Sequence, residues 1–552
     1  MAARRAFVAA AWCTISVAVV CAVGALWLWH WQLTLPLEAA FGWLFFRRVR
    51  NMQTNKRDIS RTLRVRGEHQ RSLRQRAMQM RLHVASRVSA RISARRADEF
   101  WRDIACQARL TADERAASLA RVLAAIATAH RVEEDGVARF LSLWHNGAPP
   151  ETIKRRNMER FIAAHFLFAH HEELDEEGLH EVNALMLAIE SAVGRSFEAG
   201  DTPDVVAMRV SMPSHRLRWV HYPLGVYLTL GAVQAAAHAA FLAAGFRYLS
   251  IGEIRYFYRP PTACTPPPPV VLLPGIGIGV GAYLALLLGP LSADGAAIFA
   301  VELPQVTAGR FSSVKQEDDV VASLLAMLRR HTDSPTAAAV NMSVPPPPAR
   351  WVAHSYSSFV VGWLLRTKEA APALHTLLLL DPVAVLVAWP HVLHGAVYRG
   401  PLQPPLAALF PSSVTQASSG GARRRLAAAA SRLAANMRLA LNYAIVKEAY
   451  IAMAVQTHFM WLTSSVWLED VPPGCKVTLA LSERDVLLPV REVMTYATAV
   501  ASRRSHELRL DVLLMERHNH GEVALNRTYW PRLAAALAVD TFGSADAPPE
   551  TS

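Results

Sequence analysis

Residues 350–365, Arg-Trp-Val-Ala-His-Ser-Tyr-Ser-Ser-Phe-Val-Val-Gly-Trp-Leu-Leu, constrain the fold more than any other stretch of this chain. An apolar run, Trp351 to Ala353, turns sharply at His354, Ser355 and Tyr356, then continues as a helix-compatible apolar segment. That is the pattern of a nucleophile elbow, in which strand, serine and helix hold the hydroxyl at the carboxyl edge of a sheet. So tight a turn requires small residues two before and two after the serine. Ala353 and Ser357 meet the requirement, where the usual pattern has glycine at both places. The match alone is degenerate. Ser355 also reads as a structural turn serine, and Ser357 or Ser358 as the functional hydroxyl.

Further motifs follow in a consistent order. Upstream, Pro269-Val-Val-Leu-Leu-Pro-Gly-Ile-Gly-Ile-Gly279 reads as a buried strand running into a glycine-rich loop. Acyl transfer needs two backbone N–H groups aimed at the developing oxyanion, one after the nucleophile and one from an earlier loop. Tyr356 and Ile276 are the candidate donors, with Gly275, Gly277 and Gly279 letting the loop approach. A dinucleotide-binding loop is the rival reading, but it needs an acidic residue about 20 positions on. Glu302 lies 27 residues beyond Gly275, a poor fit. Downstream, a strand-like run from Cys475 leads to a turn carrying Asp485, and another from Leu508 to Met515 leads to His518-Asn-His520-Gly521. Asp485 also reads as a helix cap. Asp381, which ends the apolar run from Thr376 to Leu380, is the alternative acid, and His518 the alternative base.

The order Ser355, Asp485, His520 is the chain order of triad partners in α/β-hydrolases. The segment from about 265 to 537 resembles that superfamily in its elbow, oxyanion loop, acid turn and His-Gly turn. More narrowly, the chain resembles membrane-anchored eukaryotic hydrolases with long helical amino-terminal regions. The superfamily resemblance implies an α/β fold: a mostly parallel sheet, helices on both faces, and a cap inserted between two strands. It also implies a serine hydrolase working without cofactor or metal, His520 as base, and Asp485 orienting the imidazole. Many relatives open the oxyanion loop with His-Gly, whereas this chain has Pro274-Gly275. An acyltransferase using the same acyl-enzyme, and a catalytically silent fold serving as a membrane scaffold, are the other classes in play.

The amino terminus points to a membrane. Ala6 to Leu37 contains no charged residue, and Phe7 to Trp29 is almost wholly apolar. A helix of about 23 residues is about 35 Å long, enough to cross a hydrocarbon core of about 30 Å. Trp27, Trp29 and Trp31 suit the interface and argue against a cleaved signal, whose apolar core is shorter. Leu33 to Phe46 reads as a short second dip. Between Arg47 and Asp98, 16 Lys or Arg stand against 3 acidic residues, a net +13 that equals the charge of the whole chain. The remainder is therefore neutral. Arginines on this side of the anchor place the bulk of the chain in the cytoplasm, on an endomembrane such as the endoplasmic reticulum. The segment reads as a stripe pressed onto anionic lipid. It carries no aromatic residue between Met52 and Phe100, so nucleic acid is not an expected partner. Cys13, Cys21, Cys106, Cys264 and Cys475 are scattered without metal-ligand spacing, in keeping with a reducing compartment.

The expected organisation is an anchor over 1–46, a basic segment over 47–98, and a helical region over 99–261. The hydrolase domain follows over 262–537, with a cap at about 383–473, and then a flexible tail over 538–552. Val205–Ser211 and Glu253–Tyr258 alternate and are candidate first strands. Tyr222 to Phe246 is uncharged and reads as a second span, a bilayer-lying helix or a packed core helix; Gln234 and His238 favour the last two. In the cap, Ser418 to Arg425 reads as a basic tip. The stripe Met453, Phe459, Met460, Trp461 and Trp467 reads as core or as a wall for an acyl chain. The expected partners are membrane lipids and a hydrophobic ester substrate.

Overall fold

Short runs rich in apolar residues form the sheet. Val270–Leu273, Ile298–Glu302, Ala349–His354, Leu374–Leu380, Lys476–Ser482 and Arg509–Met515 are strands β3 to β8. They pair in parallel in the order β4-β3-β5-β6-β7-β8. Ahead of them a hairpin, β1 (Arg247–Ile251) and β2 (Ile254–Arg259), adds to the β4 edge with β2 antiparallel to β4. The resulting eight-stranded order is β1-β2-β4-β3-β5-β6-β7-β8. The computed structural model describes residues 41, 110–130, 135–209, 218–220, 222–310, 312, 315–331, 345–398, 445–457, 461–524 and 526–538. The expected anchor (Phe41 apart), the basic segment, the Ser418–Arg425 tip, Phe459, Met460 and the tail from 539 lie outside the described residues.

Helices of eight residues or more are labelled α1 to α10. They are α1 (Ala112–Ala129), α2 (Gly136–Trp144), α3 (Arg155–Phe166), α4 (Glu176–Val193) and α5 (Leu224–Ala243). After these come α6 (Glu317–Arg330), α7 (Ser358–Arg366), α8 (Ala449–Thr457), α9 (Val490–Arg503) and α10 (Trp530–Leu537). The central strands are buried on both faces, which is why β3 and the Leu377–Leu380 end of β6 read as unbroken apolar runs. Val271, Leu273, Trp351, Leu377 and Leu479 point into one core with α6, α7, α9 and the amino-terminal helices. Their neighbours Val270, Leu272, Val352, Leu378 and Ala480 point into the other, beneath α5, the short helix Leu284–Leu288 and α10.

The amino-terminal helices belong to the same body as the sheet. Trp144 Nε1 donates to the Ala388 carbonyl at 3.0 Å, and Trp461 Nε1 donates to the His165 carbonyl at 3.1 Å. Arg121 forks onto Asp470 at 3.0 and 2.8 Å. The boundary expected at 261–262 falls between β2 and β3 of one sheet, whose first strand begins at Arg247. Glu253–Tyr258 does supply most of β2, whereas residues 205–209 form no strand. The two ends of the expected cap meet beside the sheet, where Val466 N–H donates to the Ala384 carbonyl at 2.9 Å. Trp461 and Trp467 are buried there as core.

The apolar helix α5 lies along the body. Val233, Ala237 and Phe241 pack inward, Phe241 stacks on Phe257 at 4.3 Å, and Gln234 Nε2 donates to the Ala308 carbonyl at 2.7 Å.

Candidate active site

The carboxyl ends of β3, β5, β6, β7 and β8 converge. β5 ends at His354, and Ser355 takes up a φ of 52° before the chain turns into α7. That left-handed conformation is strained for a serine and places the hydroxyl at the apex of the turn. Ser355 Oγ lies 2.7 Å from His520 Nε2, and His520 Nδ1 lies 2.6 Å from Asp485 Oδ2. The other Asp485 oxygen accepts the N–H groups of Leu487 and Leu488 at 2.7 and 3.2 Å, which holds the carboxylate still.

The alternative groups lie elsewhere or are engaged otherwise. His518 turns away, with Nδ1 at 2.7 Å from the Glu516 carbonyl and Nε2 at 2.5 Å from Asn526. Ser358 Oγ donates back to the Ser355 carbonyl at 2.6 Å and accepts from Ala384 N–H at 2.9 Å. Ser357 Oγ, fully buried, donates to the Pro274 carbonyl. Two of the three departures from the usual hydrolase pattern thus meet: Ser357, where the elbow has glycine, ties down Pro274, where the loop has histidine.

Asp381 is completely buried beside this group, but it does not bond the imidazole. Its carboxylate accepts from Ser482 N–H at 2.8 Å, Ser482 Oγ at 3.0 Å and Gly521 N–H at 2.8 Å. It therefore fastens the turn that carries His520 to the end of β7. Asp381, Asp485 and His520 lie close enough together to suggest a cation site. Their donor atoms are already engaged, however: both His520 nitrogens by Ser355 and Asp485, and the Asp381 oxygens by three donors. Burial disfavours charge on His520, but the adjacent Asp485 and the nearby Asp381 outweigh it and raise the imidazole above its ordinary value. Burial and the Asp485 charge raise Asp381 in turn.

The glycine loop stands directly against the elbow. A Cβ on Gly275 would meet His354 Nδ1 at 2.8 Å, the His354 carbonyl at 3.1 Å and Ser355 Cβ at 3.1 Å, so glycine is required for this approach. Gly277 pins the loop from the other side: its N–H donates to the Val306 carbonyl at 3.1 Å, and its carbonyl accepts from Ala308 at 2.8 Å. Ile276, between them, is half-buried. Tyr356 N–H lies in the first turn of the helical segment that opens at Ser355, where backbone donors lack an intrahelical partner.

Sequence reasoning misses a buried pair beneath this loop. Tyr283 Oη accepts from Gly275 N–H at 3.0 Å and lies 2.5 Å from His354 Nδ1. With the hydroxyl proton given to His354, Nδ1 accepts and the ring carries its proton on Nε2. Burial, with the His520 charge beside it, pushes His354 down to about 3 and keeps it neutral. Its ring lies 5.9 Å from that of His520. No spacing rule marks Tyr283, and only the fold brings it to Gly275.

No family model matches the sequence, and no curated protein matches it. Solved structures do. One is a thermostable esterase from Pseudomonas putida, at 14% identity over 56% of this chain and 91% of that one, with a TM-score of 0.34. Another is a bacterial membrane phospholipase A described as a virulence factor, at 16% identity over 57% and 92%, TM-score 0.32. A third is the carboxylesterase CesB from Bacillus subtilis, at 10% identity over 56% and 98%, TM-score 0.31. At TM-scores this low the assignment rests on the strand order and the turn that carries Ser355. On those grounds the chain has the fold of the α/β-hydrolase superfamily.

Proposed function

We propose that this protein is a serine hydrolase that cleaves hydrophobic or lipid esters at a membrane. The observation that carries the reading is the chain of contacts from Ser355 Oγ through His520 to Asp485, at 2.7 and 2.6 Å. Unprotonated His520 Nε2 takes the hydroxyl proton as Ser355 Oγ attacks the ester carbonyl carbon. Asp485 stabilises the imidazolium so formed. The carbonyl oxygen becomes an oxyanion facing the N–H groups of Ile276 and Tyr356, each worth about 3–4 kcal/mol by the standard of measured oxyanion donors. Collapse breaks the bond to the alcohol oxygen, which leaves with the proton from His520 Nε2. Water, deprotonated by the same nitrogen, then attacks the acyl carbon; the bond to Ser355 Oγ breaks, the acid leaves, and His520 Nε2 returns the proton to Oγ. Asp381 and the Tyr283–His354 pair hold the base and the glycine loop in position for these steps.

The membrane part of the reading is supported by the uncharged run Ala6 to Leu37, the basic segment after it, and the exposed apolar face of α5. Lipids then serve as both anchor and substrate source. The test is fluorophosphonate labelling of the full chain in membranes, with the modified peptide mapped by mass spectrometry. Labelling is expected on Ser355, lost in Ser355→Ala and kept in Ser357→Ala. Labelling of Ser357 in its place would overturn the assignment of the nucleophile. A folded protein that takes up no label would favour a silent scaffold.

A further inference from the structure

α5 has a face that the catalytic reading leaves unused. It is a 20-residue helix without a charged side chain, with mean hydropathy 1.5. Tyr227, Val233, Ala237 and Phe241 are buried, whereas Leu228, Ala235, Ala239 and Leu242 recur on the opposite side and are exposed. Leu228 is 57% exposed and Leu242 48%. The stripe runs about 20 Å along the helix at 1.5 Å per residue. A continuous apolar strip of this kind marks a docking face.

What covers it is indicated by where the chain before it ends. Phe41, four residues past the uncharged run that closes at Leu37, packs edge-on against Tyr227 with ring centroids 5.5 Å apart. Tyr227 belongs to the first turns of α5. An apolar amino-terminal run, were it inserted in a bilayer, would lead back to the start of this helix and bring it to the membrane surface. Trp219 and Tyr222 lie just ahead of the helix, packed at the same place, and the exposed Arg218 and Arg247 bracket it. Aromatic rings and cations at the ends of an uncharged helix suit the boundary between acyl chains and anionic headgroups. The helix is also held along its length, from Tyr227 to Phe241, so it cannot cross the bilayer without drawing the sheet edge in with it.

We propose that α5 lies in the plane of a phospholipid bilayer surface, with the Leu228–Leu242 stripe against the acyl chains, and that its inner face walls the route from the bilayer to the glycine loop. Gln234, His238 and Phe241 of α5 line a cleft of about 520 Å³ whose other wall includes Ile278 and Gly279, the continuation of the loop at Gly275. Arg255, Arg310 and Lys315 line the same cleft beside Glu253 and Glu302, with Arg310 paired to Glu302 at 3.7 Å. The seating of α5 is independent of catalysis, whereas the route rests on the hydrolase reading.

The test uses the full chain in vesicles of phosphatidylcholine with phosphatidylserine. A benzophenone amino acid replaces Leu228, Ala235 or Leu242 in turn, and Leu187, an exposed leucine on α4, serves as control. After illumination, lipid adducts are expected at the three α5 positions and not at Leu187. Adducts to another segment of the same chain, to a second copy, or equally to lipid at Leu187 would overturn the proposal. In parallel, Leu228→Asp combined with Leu242→Asp should lower the ratio of hydrolysis of a vesicle-embedded ester to that of a water-soluble short-chain ester by about tenfold, the scale of losing buried leucine surface. An unchanged ratio would overturn the route. Absence of hydrolysis on both esters, with lipid adducts present, would remove the hydrolase reading and leave the seating of α5 intact.

Discussion

Two carboxylates flank one imidazole, and their roles follow from what each is bonded to. Asp485 faces Nδ1 of His520, while Asp381 is spent on Ser482 and the Gly521 N–H. Asp381 still acts through space, because its charge helps to hold His520 above its ordinary value. Turnover needs His520 unprotonated, so kcat/KM should fall as pH drops through an apparent value above the usual histidine range of about 6.5. That value belongs to the coupled group and not to one residue. Asp381→Asn removes one negative charge, makes imidazolium less favourable, and should move the acid limb to lower pH. A pH profile of kcat/KM for the two proteins checks this; an unmoved or raised limb would mean that Asp381 contributes no field at His520. Which acid faces the imidazole is not legible from spacing, since Asp381 and Asp485 both follow strand-like runs. The donors that occupy Asp381, from Ser482 and Gly521, decide it.

The helix that follows Ser355 depends on how closely its neighbours approach. A Cβ on Gly362 of α7 would meet the backbone carbonyls of Ser464 and Ser465 at 2.8 and 2.9 Å. Trp363 Nε1 also bonds Ser464 Oγ at 3.1 Å from the same helix. Backbone cannot yield as a flexible side chain does, so Gly362→Ala should destabilise the fold by about 1–3 kcal/mol, the range for overpacking. Denaturant unfolding would measure it, and a variant as stable as the parent would show that the 461–467 segment is free to move back. The apolar run after the serine is legible as a helix, but glycine within it carries no local signal. Its reason is the returning end of the insertion, a hundred residues further on.

In the whole molecule the amino-terminal helices and the sheet share one core. Leu119, Ile126, Phe161 and Ile189 belong to the same apolar cluster as Trp351, Leu377 and Leu479. A chain beginning at residue 262 would lack β1, β2 and α5 as well, exposing the β4 edge and both faces beside it. Such a chain should be insoluble and should take up no fluorophosphonate at Ser355. Soluble, labelled protein would mean that the six parallel strands fold alone. The proline run Pro266–Pro269 marks the loop into β3, inside the sheet rather than ahead of it.

The order of the motifs along the chain is open to reading because each rests on local chemistry. A strand buried on both faces reads as a largely apolar run, and a tight turn must be flanked by small residues. Ser355, Asp485 and His520 are recognisable as candidates on that basis, as are the strands that bear them. The Tyr283–His354 pair, the engagement of Asp381, the tie from Ser357 to Pro274 and the packing of α5 are not. Each is a contact between residues remote in sequence, set by strand order and by how closely two backbones approach, and such distances have no signature in a linear pattern.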